Sequence, residues 1–145
     1  MSYPIAMGLA LKEVDTPALL VDDYQLRENI SRMAAFFADK AADLRPHVKT
    51  HKCPQIARLQ LGEGAVGLTC AKLSEAEVFA EAGIEDILIA NQITGETKLN
   101  RLTDLARRCD LKVAVDDARN VVEMDRACRE KGVRIGVLIE VDIGM

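Results

Sequence analysis

Both histidines of the chain fall within the stretch Leu44-Arg45-Pro46-His47-Val48-Lys49-Thr50-His51-Lys52-Cys53-Pro54, and a lysine stands midway between them. Two chemistries suit such a set. A His-x-x-x-His pair can bind zinc on a helix, where residues four apart share a face. Here Pro46 and the β-branched Val48 and Thr50 favour an extended chain. On a strand, residues four apart are separated by about 13 Å at about 3.3 Å per residue, too far for one ion, so metal binding by this pair alone is not expected. The second chemistry is that of an amine. Side chains alternate along a strand, so an extended chain puts His47, Lys49 and His51 on one face. A lysine desolvated among other donors has a larger neutral fraction, and a neutral amine is what Schiff-base formation requires. The alternative is an ordinary surface lysine between two loop histidines.

Other candidates carry less. Lys72 follows a later apolar run and is a weaker candidate for the same cavity, while Lys12, Lys40, Lys98 and Lys131 fall on expected helix or loop surfaces. Asn91 and Gln92 end the run Ile87–Ala90 and could donate to a ligand, or simply mark a polar exit from a strand. Asp116 and Asp117 read as helix caps before catalytic acids. Gly62-Glu63-Gly64-Ala65-Val66-Gly67 matches G-x-G-x-x-G, but a helical pattern precedes it and a strand pattern follows, the reverse of the dinucleotide-binding context. It is read as a helix-to-strand turn. Cys53, Cys70, Cys109 and Cys128 form no C-x-x-C pair, and four reduced thiols in a cytosolic protein are expected.

The elements that position these residues alternate. Apolar, β-rich runs occur at 17–22, 44–49, 65–70, 86–90, 112–116 and 135–142, with helical spacing between them. Leu26, Ile30, Met33, Ala34 and Phe37 share one face of the first helix; Leu99, Leu102, Leu105 and Ala106 share one face of a later helix. Asp22 or Asp23, Ser74 with Glu77, Thr94 and Asp117 are cap candidates, and Pro54 suits a first helical position. Gly62, Gly83 and Gly132 stand where left-handed C-caps are common. Strict alternation implies a parallel sheet, either a (β/α) barrel or an open doubly wound sheet. The run Val137–Asp142 reads as a buried central strand, yet the sequence stops at Met145. Its apolar side chains and one ladder edge would stay uncovered, so the chain is read as the front part of a longer protein.

Composition removes several function classes. An apolar fraction of 49% argues against disorder. A net charge of −4 without a Lys/Arg cluster argues against nucleic acid as a partner. The apolar runs are too short to span a bilayer, and the N-terminus shows no secretory signal.

Three segments together carry a resemblance. Asp15-Thr16-Pro17-Ala18-Leu19-Leu20-Val21-Asp22, Arg45-Pro46-His47-Val48-Lys49-Thr50-His51-Lys52 and Cys70-Ala71-Lys72-Leu73-Ser74-Glu75-Ala76-Glu77 resemble the D-threonine aldolase/D-serine dehydratase group of fold-type III pyridoxal phosphate enzymes, related to alanine racemase. Glu140–Met145 resembles a later barrel strand of that group. The resemblance runs in order over nearly the whole chain. It implies an α/β fold with parallel strands, a pyridoxal phosphate-binding (β/α)8 barrel of alanine racemase type. Residues 1–145 would be its N-terminal part, truncated before barrel closure, with the C-terminal β domain absent. It implies a cytoplasmic homodimer when full length.

The resemblance makes Lys49 the Schiff-base lysine, with His47, His51 and, from a strand end, Gln92 lining the cofactor pocket. The implied activity is a lyase acting on a small D-amino acid with a β-hydroxyl. An aldolase would cleave it to glycine and an aldehyde; a D-serine dehydratase would give a 2-oxo acid and ammonia. A non-catalytic pyridoxal phosphate-binding barrel is a third reading. The divalent metal of the family is expected only in the full-length protein, because no segment here matches its ligands. The fragment alone is expected to be inactive or poorly folded.

Overall fold

A computed structural model describes residues 8–144 and shows helices alternating with strands from Pro54 onward. The first long helix, α1, spans Asp23–Phe37, and Asp22 Oδ1 caps it by accepting from the Gln25 N–H at 3.0 Å. Then come α2 (Pro54–Gly62), β1 (Leu68–Cys70), α3 (Leu73–Glu81), β2 (Asp86–Ile89), α4 (Glu96–Leu105), β3 (Asp110–Val115), α5 (Ala118–Lys131) and β4 (Gly136–Ile139). Pro54 opens α2, where its missing N–H costs nothing. Asp117 Oδ1 accepts from the Arg119 N–H at 2.7 Å at the start of α5, and Gly132 closes that helix at φ 65°.

The strands form one parallel sheet in the order β1-β2-β3-β4. Leu68, Ile87 and Leu111 are register partners on one face, and all three are buried. Leu73, Phe79, Leu99, Leu102 and Met124 from the helices join them in a single core. Burying a side chain such as Phe79 contributes about 1.5–3 kcal/mol. His47, Thr69, Leu88, Lys112 and Gly136 are register partners in a row on the second face. This is the α/β architecture of a partial barrel. No described helix is long and apolar enough to cross a membrane.

Several expectations are corrected. Residues 17–22 form no strand: no partner backbone lies beside them among the described residues, and Leu19, Leu20 and Val21 are exposed. Residues 44–49 make one bridge to β1, between His47 and Thr69, and then turn. Ser74 and Glu77 form no capping box. The N-cap is Lys72 and the helix starts at Leu73, two residues before a Ser74 cap would place it, and Glu77 is taken by Arg101. Gly95, at φ 87°, takes the N-cap position expected of Thr94. Gly83 and Gly132 adopt the left-handed conformation, but Gly62 stays helical and Gly64 makes the turn at φ 98°. The G-x-G-x-x-G match is thus a helix-to-strand connection. Every residue of β4 is exposed, because nothing described here covers its far side.

Candidate active site

The segment holding Lys49 begins as an edge beside β1. The Val66 N–H donates to Leu44 O at 3.0 Å, Thr69 N–H to Pro46 O at 2.8 Å, and Val48 N–H to Thr69 O at 2.9 Å. Val48 is fully buried and anchors the segment to the core. The chain then bends. Lys52 N–H donates to Val48 O at 2.8 Å, and Lys52 lies in the left-handed region at φ 49°, a conformation that costs a non-glycine residue about 1–2 kcal/mol. The strand geometry expected through His51 is therefore not formed. His47 remains in the ladder, Lys49 stands exposed just past its C-terminal end, and His51 is carried off on the far side of the turn.

The two imidazoles are held alike and face different surroundings. His47 Nδ1 accepts from the Lys49 N–H at 3.3 Å, and His51 Nδ1 from the Cys53 N–H at 3.0 Å. In the neutral form each ring then carries its proton on Nε2. Burial, and then the charge of Lys49, push the His47 pKa down, so the ring is uncharged at neutral pH. Burial lowers His51 as well. His51 lines an apolar cleft of about 450 Å³ between α1, α2 and the turn, together with Leu26, Ile30, Met33 and Ile56. Its Nε2 is buried there without a partner, as is Oε1 of Gln60 in the same cleft.

The remaining polar groups stand at the C-terminal ends of the next strands. Glu75 accepts from the Ala71 N–H at 2.9 Å and pairs with Lys52 Nζ at 3.4 Å, tying the turn to α3. Burial opposes its charge, but these bonds outweigh it and hold the carboxyl below the usual range. Past β2, Asn91 Nδ2 donates to Ala71 O at 3.4 Å, and Gln92 Nε2 donates to Glu140 Oε2 at 2.8 Å. Gln92 is thus braced from the end of β4. The following Ile93 is fixed by buried Asn120, whose Nδ2 donates to Ile93 O at 2.7 Å. Lys72, Ser74, Asn91, Gln92, Lys98 and Arg101 help to line a polar cavity of about 300 Å³ at this end of the sheet.

Lys49 and His47 are brought together; Gln92 lies two sheet positions away, and His51 faces the apolar cleft. Glu75, Lys52 and Glu140 carry no signal of their roles in the sequence, because those roles depend on contacts between distant segments. Pyridoxal phosphate needs a reachable amine and hydrogen-bond donors. Lys49 offers the amine, His47 a neutral N–H, and Asn91 and Gln92 amides, so the donor set fits the cofactor. Among the described residues no cluster of three or more His, Cys, Asp or Glu could hold a metal ion.

Residues 21–145 match the family described as alanine racemase, N-terminal domain. D-threonine aldolase of Arthrobacter sp. is 44% identical over 141 residues, 97% of this chain and 37% of that protein. D-threo-3-hydroxyaspartate dehydratase of Delftia sp. is 39% identical over 133 residues, 91% of this chain and 35% of that protein. The crystal structure of D-threonine aldolase from Filomicrobium marinum superposes with a TM-score of 0.95 at 45% identity, covering 99% of this chain and 39% of that one. The chain therefore spans less than two fifths of the length of these relatives.

Proposed function

The chain belongs to the alanine racemase N-terminal domain family, and from that membership we propose that it is the cofactor-binding portion of a pyridoxal phosphate-dependent lyase acting on D-β-hydroxy amino acids, with Lys49 as the residue that condenses with the cofactor aldehyde. The favoured reaction is aldol cleavage to glycine and an aldehyde, as the name of the 44% identical relative suggests. The 39% identical dehydratase supports a second reading, elimination to a 2-oxo acid and ammonia. The observation that carries the proposal is the exposed amine of Lys49 just past the ladder, beside an uncharged imidazole.

Bound pyridoxal phosphate supplies an electron sink for charge developing at the substrate α-carbon. The protein's residues bind and orient. Lys49 attacks only as the unprotonated amine. His47 keeps Nδ1 occupied by the Lys49 N–H and offers a proton from Nε2. Gln92, braced by Glu140, offers an oriented amide at the same end of the sheet. His51 enters as a support of the turn through the Cys53 N–H. No metal ligand is assigned among the described residues.

The test is borohydride reduction of the full-length protein with pyridoxal phosphate, followed by peptide mapping. The label is expected on Lys49 and is expected to vanish in Lys49→Ala. A label on Lys72, or on no lysine, would refute the assignment. Product analysis with D-threonine then separates the reactions: glycine with acetaldehyde marks an aldolase, a 2-oxo acid with ammonia a dehydratase.

A further inference from the structure

A belt of charge crosses the second face of the sheet, from the segment that carries Lys49 to β3. Arg45 donates to Asp86 with both arms of its fork, Nη1 to Oδ1 at 2.7 Å and Nη2 to Oδ2 at 3.0 Å. Asp86 stands on β2, so the guanidinium must reach past β1. It does so over Gly67, where a Cβ would fall on the guanidinium itself and within 2.8 Å of the Asp86 carbonyl oxygen. From the other side, Lys112 Nζ donates to the same Asp86 Oδ1 at 2.7 Å and to Asp110 Oδ2 at 2.6 Å. Its stem lies against Gly136, where a Cβ would sit 2.9 Å from Lys112 Cγ. Each long cation thus crosses a position at which glycine leaves the path clear.

We propose that Arg45 is a positioning residue for Lys49, clamping the start of the segment that presents the amine to the beginning of β2 across the approach to β1, so that the turn beyond is set from a fixed base. The inference rests on the assignment of Lys49 above. The backbone hold on this segment is thin. Two hydrogen bonds join it to Thr69 of β1 and one to Val66 just before that strand, Pro46 has no N–H to give, and the ladder ends in one bridge before the chain turns. The turn that follows includes a left-handed non-glycine residue, Lys52, a conformation that must be held by its surroundings. A bidentate arginine–carboxylate pair fixes rotation as well as distance, and a lysine at the same place would offer a point charge without a fork. Asp86 suits the partner's role: burial opposes its charge, but Arg45 and Lys112 outweigh burial and keep it ionised.

The experiment uses the full-length protein and compares Arg45→Lys with Lys112→Met, which strips Asp86 of its other cation and leaves the fork. In Arg45→Lys, condensation of pyridoxal phosphate at Lys49, trapped by borohydride, is expected to slow on the order of tenfold, a part of the roughly hundredfold that a 1 Å misplacement of a reacting group can cause. Amide exchange at Val48–Lys52 of the cofactor-free protein is expected to quicken, while β2 and β3 keep their protection. Lys112→Met is expected to leave both readings at their wild-type values. Wild-type trapping and exchange in Arg45→Lys would overturn the proposal. Equal losses in both variants, or loss of protection throughout the sheet, would overturn it too, because the pair would then hold the fold and not the turn. A label on another lysine in the unmutated protein would remove the assignment of Lys49 instead; the exchange measurement, which needs no cofactor, would still decide whether Arg45 holds the turn.

Discussion

The two histidines are set against protonation by the fold, and the sign of the consequence is definite. Burial lowers both pKa values from the unfolded value near 6.5, with the Lys49 charge adding to the effect at His47. A group depressed in the folded state contributes stability above its unfolded pKa and loses it as pH falls through the folded value. Urea unfolding of the cofactor-free protein is therefore expected to give a lower midpoint at pH 5 than at pH 7, with a smaller difference in His51→Gln. Imidazole proton resonances followed by NMR should titrate below about 6.5 for both rings; a midpoint above it at either ring would contradict the burial argument. In the sequence, contacts are legible where the partners are near neighbours, as at His47 and Lys49, whose proximity follows from a spacing of two residues. They are not legible where the partner is remote. Nothing at Arg45 announces that its carboxylate lies 41 positions along the chain, and nothing at Gly67 announces that its missing side chain is the passage for that contact.

Among the helix ends, three glycines in similar sequence settings have different physical demands. Gly132 ends α5 at φ 65° and Gly64 follows α2 at φ 98°, both in the region where a Cβ is strained, whereas Gly62 stays in helical backbone with open space beside it. Gly132→Ala and Gly64→Ala are expected to cost about 1 kcal/mol each, and Gly62→Ala to be neutral or to stabilise by up to about 1 kcal/mol. Chemical denaturation of the three variants checks this; equal effects at Gly62 and Gly64 would show that the turn had been assigned to the wrong glycine. The helices and the four strands were readable because apolar periodicity, the Asp22 and Asp117 caps and Pro54 agree locally. Two elements were not. Residues 17–22 and 44–49 have strand-like composition, but a strand exists only where another backbone accepts its ladder, and that depends on the rest of the fold.

For the whole chain, the decisive quantity is apolar surface left open along one side of the sheet. β4 pairs with β3 by one edge only among the described residues, and Ile139 is 78% exposed with Val141 and Ile143 following at 68% and 85%. Leu19, Leu20 and Val21 add a second open apolar stretch before α1. An unpaired parallel edge bearing β-branched side chains is a template for pairing with another chain, and exposed apolar patches of this kind drive association. The 145 residues prepared by themselves are therefore expected to self-associate, with the sedimentation coefficient rising with concentration and a hydrophobic dye bound. Ile139→Lys places a charge on the open edge, the device by which natural edge strands resist pairing, and is expected to shift the population toward monomer without loss of helical signal. A chain that sediments as a monomer at every concentration, with or without the lysine, would mean that the edge is shielded in solution. The clamp at Asp86 makes the same point from within the sheet: Arg45 and Lys112 converge on it from opposite sides, so the belt is already closed over the strands present while the edge of β4 is left to associate.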